Sequence, residues 1–173
     1  VQDIAEQIRP IIHGGDQQGG LRSGTVPTPL CVGFGAATKM LLSEDMAQER
    51  RRLAGLRTRL LEGLEGKGVD FRLNGPPADW RHPGNLNVSF KGVDAHALLG
   101  ALQPRLCAST GAACTSGTIE SSHVLGAIGL SDEIASSAVR FSVGRSSDAA
   151  QIDEAIELIA EAIDRAVPSI MSA

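Results

Sequence analysis

Cys114 lies in the run Cys107–Ser116, CASTGAACTS, where no side chain from Ala108 to Ser116 is bulky. Such a run cannot fill a core and reads as a mobile surface loop with a small-residue tip. A cysteine there is accessible and free to swing, the setting of a nucleophile or sulfur carrier. The same spacing is equally met by an inert cysteine in a surface turn. Arg140 is the second candidate. It sits inside Ala138–Val143, where Val139, Phe141 and Val143 point one way and Arg140 and Ser142 the other. An arginine in the middle of a strand is costly if buried without an anion, so it needs a carboxylate partner, from the protein or from a ligand. The third stretch is HGGDQQGGLRSGT, residues 13–25. Its glycines open backbone conformations closed to other residues. Arg22, Ser23 and Thr25 add a guanidinium and two hydroxyls just before Pro27, a residue suited to a helix start. These are the parts of a phosphate or carboxylate cradle, and also those of a purely structural loop. The stretch is neither a Walker A loop, which needs a lysine after its glycine, nor a framed dinucleotide fingerprint.

The elements that must position these residues follow from periodicity. Leu30, Phe34, Ala37 and Leu41 mark a helix over Pro29–Leu42, with Cys31 expected in or near the core. A second helix runs from Ser43 to about Leu64, with Met46, Leu53, Leu56, Leu60 and Leu64 on its apolar stripe. Its arginines (Arg50, Arg51, Arg52, Arg57, Arg59) read as a solvated face. Gly66 and Gly68 end it. Strands are expected at Val69–Leu73, Leu86–Phe90, Leu106–Ser109 and Ala138–Val143. Asp94 caps a short helix, and Ser122 and Asp132 open two more. Ser147 and Asp148 cap a last helix striped by Ile152, Ala155, Ile156, Ile159, Ile163 and Val167.

Composition narrows the function classes. The 173 residues are 42% apolar and 21% charged, as in a soluble globular protein. A net charge of −4, with no Tyr and one Trp, offers neither the basic footprint nor the stacking surface of a nucleic-acid binder. No apolar run is long enough to span a membrane. Cys31, Cys107 and Cys114 form no CxxC pair, so a reducing cytoplasm fits better than a disulfide framework. The four histidines stand in no ligand spacing, and no metal site is expected. The chain opens on Val1 without an initiating Met, and its first ten residues read as neither signal nor transit peptide. The expectation is the later part of a longer protein.

Three segments carry a family resemblance. HGGDQQGGLRSGT (13–25) is similar to the Gly-rich segment ending in RSGT of the group I, NifS/IscS-type cysteine desulfurases. STGAACTSG (109–117) resembles their active-site SSGSACTS, and AVRFSVGR (138–145) their IRFS-x-GR strand. The order and spacing agree, and NLNVSF (85–90) also fits. The resemblance covers nearly the whole chain. It implies the C-terminal portion of a fold type I, pyridoxal-phosphate-dependent transferase of the class V aminotransferase-like group. The fold expected is α/β: a small α+β domain with a short, mainly antiparallel sheet flanked by helices. Residues 1–25 would be the tail of the large cofactor-binding domain, and 26–173 the small domain carrying the cysteine loop.

The resemblance also implies a reaction and its residues. L-cysteine, joined to pyridoxal phosphate, would give up its sulfur to Cys114 as a persulfide and leave as L-alanine. The cofactor would be the electron sink, and the site would help ionise a thiol whose free pKa is about 8.5. Arg140 would grip the substrate carboxylate through paired charge-assisted hydrogen bonds. Thr25 would reach the cofactor phosphate of the other subunit, making a homodimer part of the site. The sulfur would pass to an acceptor protein for iron–sulfur cluster assembly or other sulfur transfer in the cytoplasm, with no membrane or direct nucleic-acid contact. The chain departs from the pattern at Gln18 and Gly19, and Lys39, Lys67 and Lys91 do not sit in the family's lysine motif. The 173 residues alone are therefore expected to be inactive. The alternatives are a selenocysteine or cysteine-sulfinate lyase on the same fold, or a catalytically incomplete dimerisation or acceptor-docking module.

Overall fold

The computed structural model describes residues 7–43, 45–110 and 122–166. The chain divides into two compact units, residues 1–46 and 47–173.

In the first unit, the Gly-rich stretch is a succession of turns followed by helix α1, Thr28–Ser43. The carbonyl of Pro27 accepts the first helical hydrogen bonds, from Leu30 and Cys31, so the proline stands at the helix mouth where its missing N–H costs nothing. The helix is where periodicity predicts it, but its burial is not. Cys31 is exposed rather than in the core, and Phe34 is 76% exposed. The physical reason is that apolar side chains surround α1: Val32, Met40 and Leu42 stand outside the expected stripe, and all are exposed. The unit contains no second helix or strand among its described residues for α1 to bury against.

The second unit is built on a three-stranded antiparallel sheet in the order β1 (Phe71–Leu73), β2 (Asn85–Phe90), β3 (Ala138–Ser142). Opposed residues of an antiparallel pair share a face. Phe71 opposes Phe90, Leu73 opposes Val88, Val88 opposes Val139, and Leu86 opposes Phe141. These side chains form one apolar face, with Phe90 edge-on to both Phe71 and Phe141. Helices α2 (Met46–Gly66), α3 (Ala95–Leu102) and α6 (Ala149–Ala166) supply the rest of that core through Leu53, Leu60, Leu64, Leu98, Ile159 and Ile163. Each fully buried Leu or Ile contributes about 1.5–3 kcal/mol. Gly63 lets α2 and α6 touch, because a Cβ there would strike Ile156.

The Asp94 and Asp148 caps are those the sequence announces, whereas Ser122 makes no side-chain cap bond and Ser147 Oγ accepts from Gly144 N–H instead. The Asp94 carboxylate accepts from Ala97 N–H at 2.8 Å. Asp148 and Gln151 close a reciprocal box, with Gln151 N–H donating to Asp148 Oδ1 at 2.9 Å and Asp148 N–H to Gln151 Oε1 at 3.2 Å. Gly68, at φ +73°, ends α2 in the left-handed conformation glycine favours. Helices α4 (His123–Ala127) and α5 (Asp132–Ser136) form a small second core from Leu125, Leu130, Ala135 and Ala138. The expected strand at Leu106–Ser109 reduces to one bridge, Ser109 to Arg140.

The arginines of α2 are not one solvated face. Arg52 binds Glu49 through two nitrogens at 2.8 and 2.9 Å, and donates to the carbonyls of Ser147, Gly144 and Arg145 in the turn between β3 and α6. That contact pulls Glu49 below the usual carboxylate range. Arg59 reaches Asp153 on α6. Arg57 is buried, since it lies four residues after Leu53 and three before Leu60, on the apolar stripe.

Candidate active site

The second face of the sheet is polar. Asn85, Asn87 and Ser89 on β2 oppose Ser142, Arg140 and Ala138 on β3. Arg140 is half-buried there. Its backbone is pinned on both sides, by Asn87 in the ladder and by Ser109, whose N–H donates to Arg140 O at 3.1 Å. Its guanidinium forms no hydrogen bond or ion pair among the described residues. A guanidinium in such a position has its donors available to an anion.

A cleft of about 310 Å³ opens beside it. Asn74, Arg81, Asn87 and Arg140 supply its polar lining, and Val124 and Leu125 its apolar wall. Thr110 and Ser122 also line it. These two residues are the immediate flanks of Gly111–Ser121, which includes Cys114; that segment lies outside the described residues. Both described ends of the cysteine segment therefore meet at the arginine cleft.

The floor is held by residues that spacing did not single out. Asn74 is 3% exposed, and its amide donates to Asn87 Oδ1 and to Ser89 Oγ, both at 2.8 Å. Ser89 passes the connection on, donating to Ile134 O at 2.7 Å. Arg81 folds over the adjoining turn, with Nη2 donating to Asn74 O at 2.8 Å and Nε to Pro76 O at 2.9 Å. Burial, and then the charge of Arg57, lower the Arg81 pKa. Only the even placement of Asn85, Asn87 and Ser89 along β2 hinted at this floor. Replacing Asn74 by Ala removes both side-chain bonds and leaves their buried acceptors under-satisfied. The expected loss of stability is about 1–3 kcal/mol, read as a lower denaturation midpoint at unchanged m-value.

In the Gly-rich unit, Gln18, Gly19 and Gly20 take successive left-handed conformations, at φ 58°, 63° and 80°. Gln17 turns its side chain inward to accept from Gly24 N–H at 3.1 Å, and Ser23 Oγ donates to Gly15 O at 2.7 Å. Ser23 is thus part of the loop's own scaffold. Thr25 is exposed, and its hydroxyl has no partner among the described residues. The tight turn explains the departure at Gly19: φ +63° suits glycine, whatever space surrounds it.

Among the described residues, no group of His, Cys, Asp and Glu is arranged to hold a metal ion, and no helix is long and apolar enough to cross a membrane.

Residues 3–155 match the family model Aminotransferase class-V. The chain belongs to that family. Within it, the chain is 41% identical over 159 residues to "Cysteine desulfurase IscS" of Rickettsia typhi, covering 92% of this chain and 38% of that relative. It is 48% identical over 151 residues to "Cysteine desulfurase IscS" of Colwellia psychrerythraea, covering 87% of this chain and 36% of the relative. Among solved structures, a "NIFS-LIKE PROTEIN" superimposes with TM-score 0.77 at 29% identity, over 91% of this chain and 39% of that one. "SspA in complex with cysteine" matches with TM-score 0.57 at 33% identity, over 83% of this chain and 38% of the other. The chain thus spans under two-fifths of the length of these relatives.

Proposed function

We propose that this chain is the sulfur-accepting portion of a cysteine desulfurase. L-cysteine binds with its carboxylate on Arg140, Cys114 takes up its sulfur as a persulfide, and L-alanine leaves. The observation that carries this reading is a half-buried arginine with its backbone pinned and no carboxylate partner for its guanidinium among the described residues, in a cleft lined by both described flanks of the cysteine segment. Cys114 comes four positions after Thr110, and four residues span at most about 14 Å. The thiol is tethered within reach of whatever Arg140 holds. The similar SspA structure is titled as a complex with cysteine, and the relatives carry the name cysteine desulfurase.

Pyridoxal phosphate is the cofactor of this reaction, and this chain meets only part of its needs. Thr25, with an exposed hydroxyl, suits a phosphate contact. No lysine lines the Arg140 cleft, and Lys67 and Lys91 are engaged with Glu157 and Asp70. The amine that holds the cofactor belongs to residues outside this chain, and Thr25 serves the cofactor of a second subunit in a homodimer. What this chain contributes is orientation of the substrate by its carboxylate and a thiol that then leaves the pocket carrying sulfur. The onward partner is a sulfur-acceptor protein in the cytoplasm, serving iron–sulfur cluster assembly or other sulfur transfer.

The substrate test is cysteamine, which is cysteine without its carboxylate. The intact enzyme should release alanine from L-cysteine, and its kcat/KM for desulfuration of cysteamine should be at least about 100-fold lower, as expected when a buried charge loses its partner. Equal turnover of the two would remove Arg140 from substrate recognition.

A further inference from the structure

Behind the floor of the cleft lies a second, much smaller cavity of about 50 Å³, lined by Arg57, Thr58, Leu61, Leu73, Arg81 and Leu86. Arg81 lines both spaces. Arg57 is only 6% exposed, and its Nη1 is buried without any hydrogen-bond partner. No carboxylate is paired with either arginine among the described residues. Arg81 donates to backbone carbonyls through Nε and Nη2, and the charge acting on it is the like charge of Arg57.

Two guanidiniums facing one small cavity present a specific physical problem. A buried lysine could relieve it by losing its proton, but arginine stays charged at any pH a protein meets. A lone water would satisfy Nη1 as an acceptor and leave both charges uncompensated. The walls of Leu61, Leu73 and Leu86 lower the local dielectric and strengthen any counter-charge placed there. A space of about 50 Å³ is several times the roughly 10–15 Å³ that a cavity needs to admit one water. It suits one ion of halide size and is too small for an amino acid.

We infer that this cavity is a structural anion site, occupied by a monovalent ion of chloride size bound between Arg57 Nη1 and the Arg81 guanidinium. The ion neutralises buried Arg57 beside half-buried Arg81 and fixes Arg81. Through its bonds to the carbonyls of Asn74 and Pro76, Arg81 holds the turn that borders the substrate cleft. The site shares Arg81 with the Arg140 cleft but does not depend on the desulfurase reading.

The test uses the intact protein and needs no turnover. Thermal melts are run at constant ionic strength while chloride replaces gluconate, an anion too large for the cavity. A saturable rise in the melting temperature of about 3 °C or more is expected. Crystals soaked in bromide should show an anomalous peak within hydrogen-bond distance of Arg57 Nη1. Arg57→Met keeps an apolar stem of similar length and should abolish the chloride response. Identical melts in chloride and gluconate, a response that persists in Arg57→Met, or no bromide peak in the wild-type cavity would each overturn the inference. The wild-type bromide peak decides the matter even if the variant does not fold.

Discussion

Cys114→Ser in the intact enzyme is expected to lower alanine release from L-cysteine by more than about a thousand-fold, the scale on which enzymes lose rate when their nucleophile is removed. The yellow absorbance of the bound cofactor should persist. Serine is nearly isosteric with cysteine, but its hydroxyl is a far weaker nucleophile than a thiolate and does not form a persulfide. The sheet, its two cores and the Asn74 floor are formed by described residues, and Cys114 is not among them. A loss of activity with unchanged melting and unchanged absorbance would therefore report chemistry rather than unfolding. Alanine release at the normal rate would remove Cys114 from the reaction.

The second large effect is at Arg140. Arg140→Ala should cost about 3–5 kcal/mol of transition-state stabilisation, or roughly 100- to 5,000-fold in kcat/KM, the range for truncating one partner of a buried, hydrogen-bonded charge pair. Arg140→Lys should rescue little of it. An ammonium offers the charge without the planar fork that meets a carboxylate through two parallel bonds. The backbone of residue 140 is held by Asn87 and Ser109 irrespective of its side chain, so both variants should fold. A purely structural arginine would predict the reverse: a lowered melting temperature with kcat/KM intact in the folded fraction.

Local features of this chain were legible in its sequence because their causes are local. The Asp94 and Asp148 caps, the glycine stop after α2 and the isoleucine stripe of α6 are written within a few residues. The alternation around Arg140 put it on the polar face. Properties that depend on distant partners were not legible. Asn87 faces Arg140 only because β2 and β3 pair in one register, and Asn74 reaches that floor from a neighbouring turn. Arg57 and Arg59 are two residues apart in one basic run, yet one is buried and the other meets Asp153 in solvent. The distinguishing signal was present: position 57 falls on the leucine stripe. Helix α1 shows the opposite failure. Its apolar stripe and the expected near-core place of Cys31 need an element to pack against, and its unit contains no described helix or strand to provide one.

The central claim is that sulfur from cysteine comes to rest on one thiol of this chain. The most direct measurement is peptide mass spectrometry of the intact, cofactor-loaded enzyme, quenched after a single turnover with L-cysteine and no acceptor or reductant. The account predicts one added sulfur atom on the peptide carrying Cys114, and none on those carrying Cys31 or Cys107, together with one equivalent of alanine. Alanine formed with the added sulfur on Cys31 or Cys107, or with no sulfur retained on the protein, would contradict it.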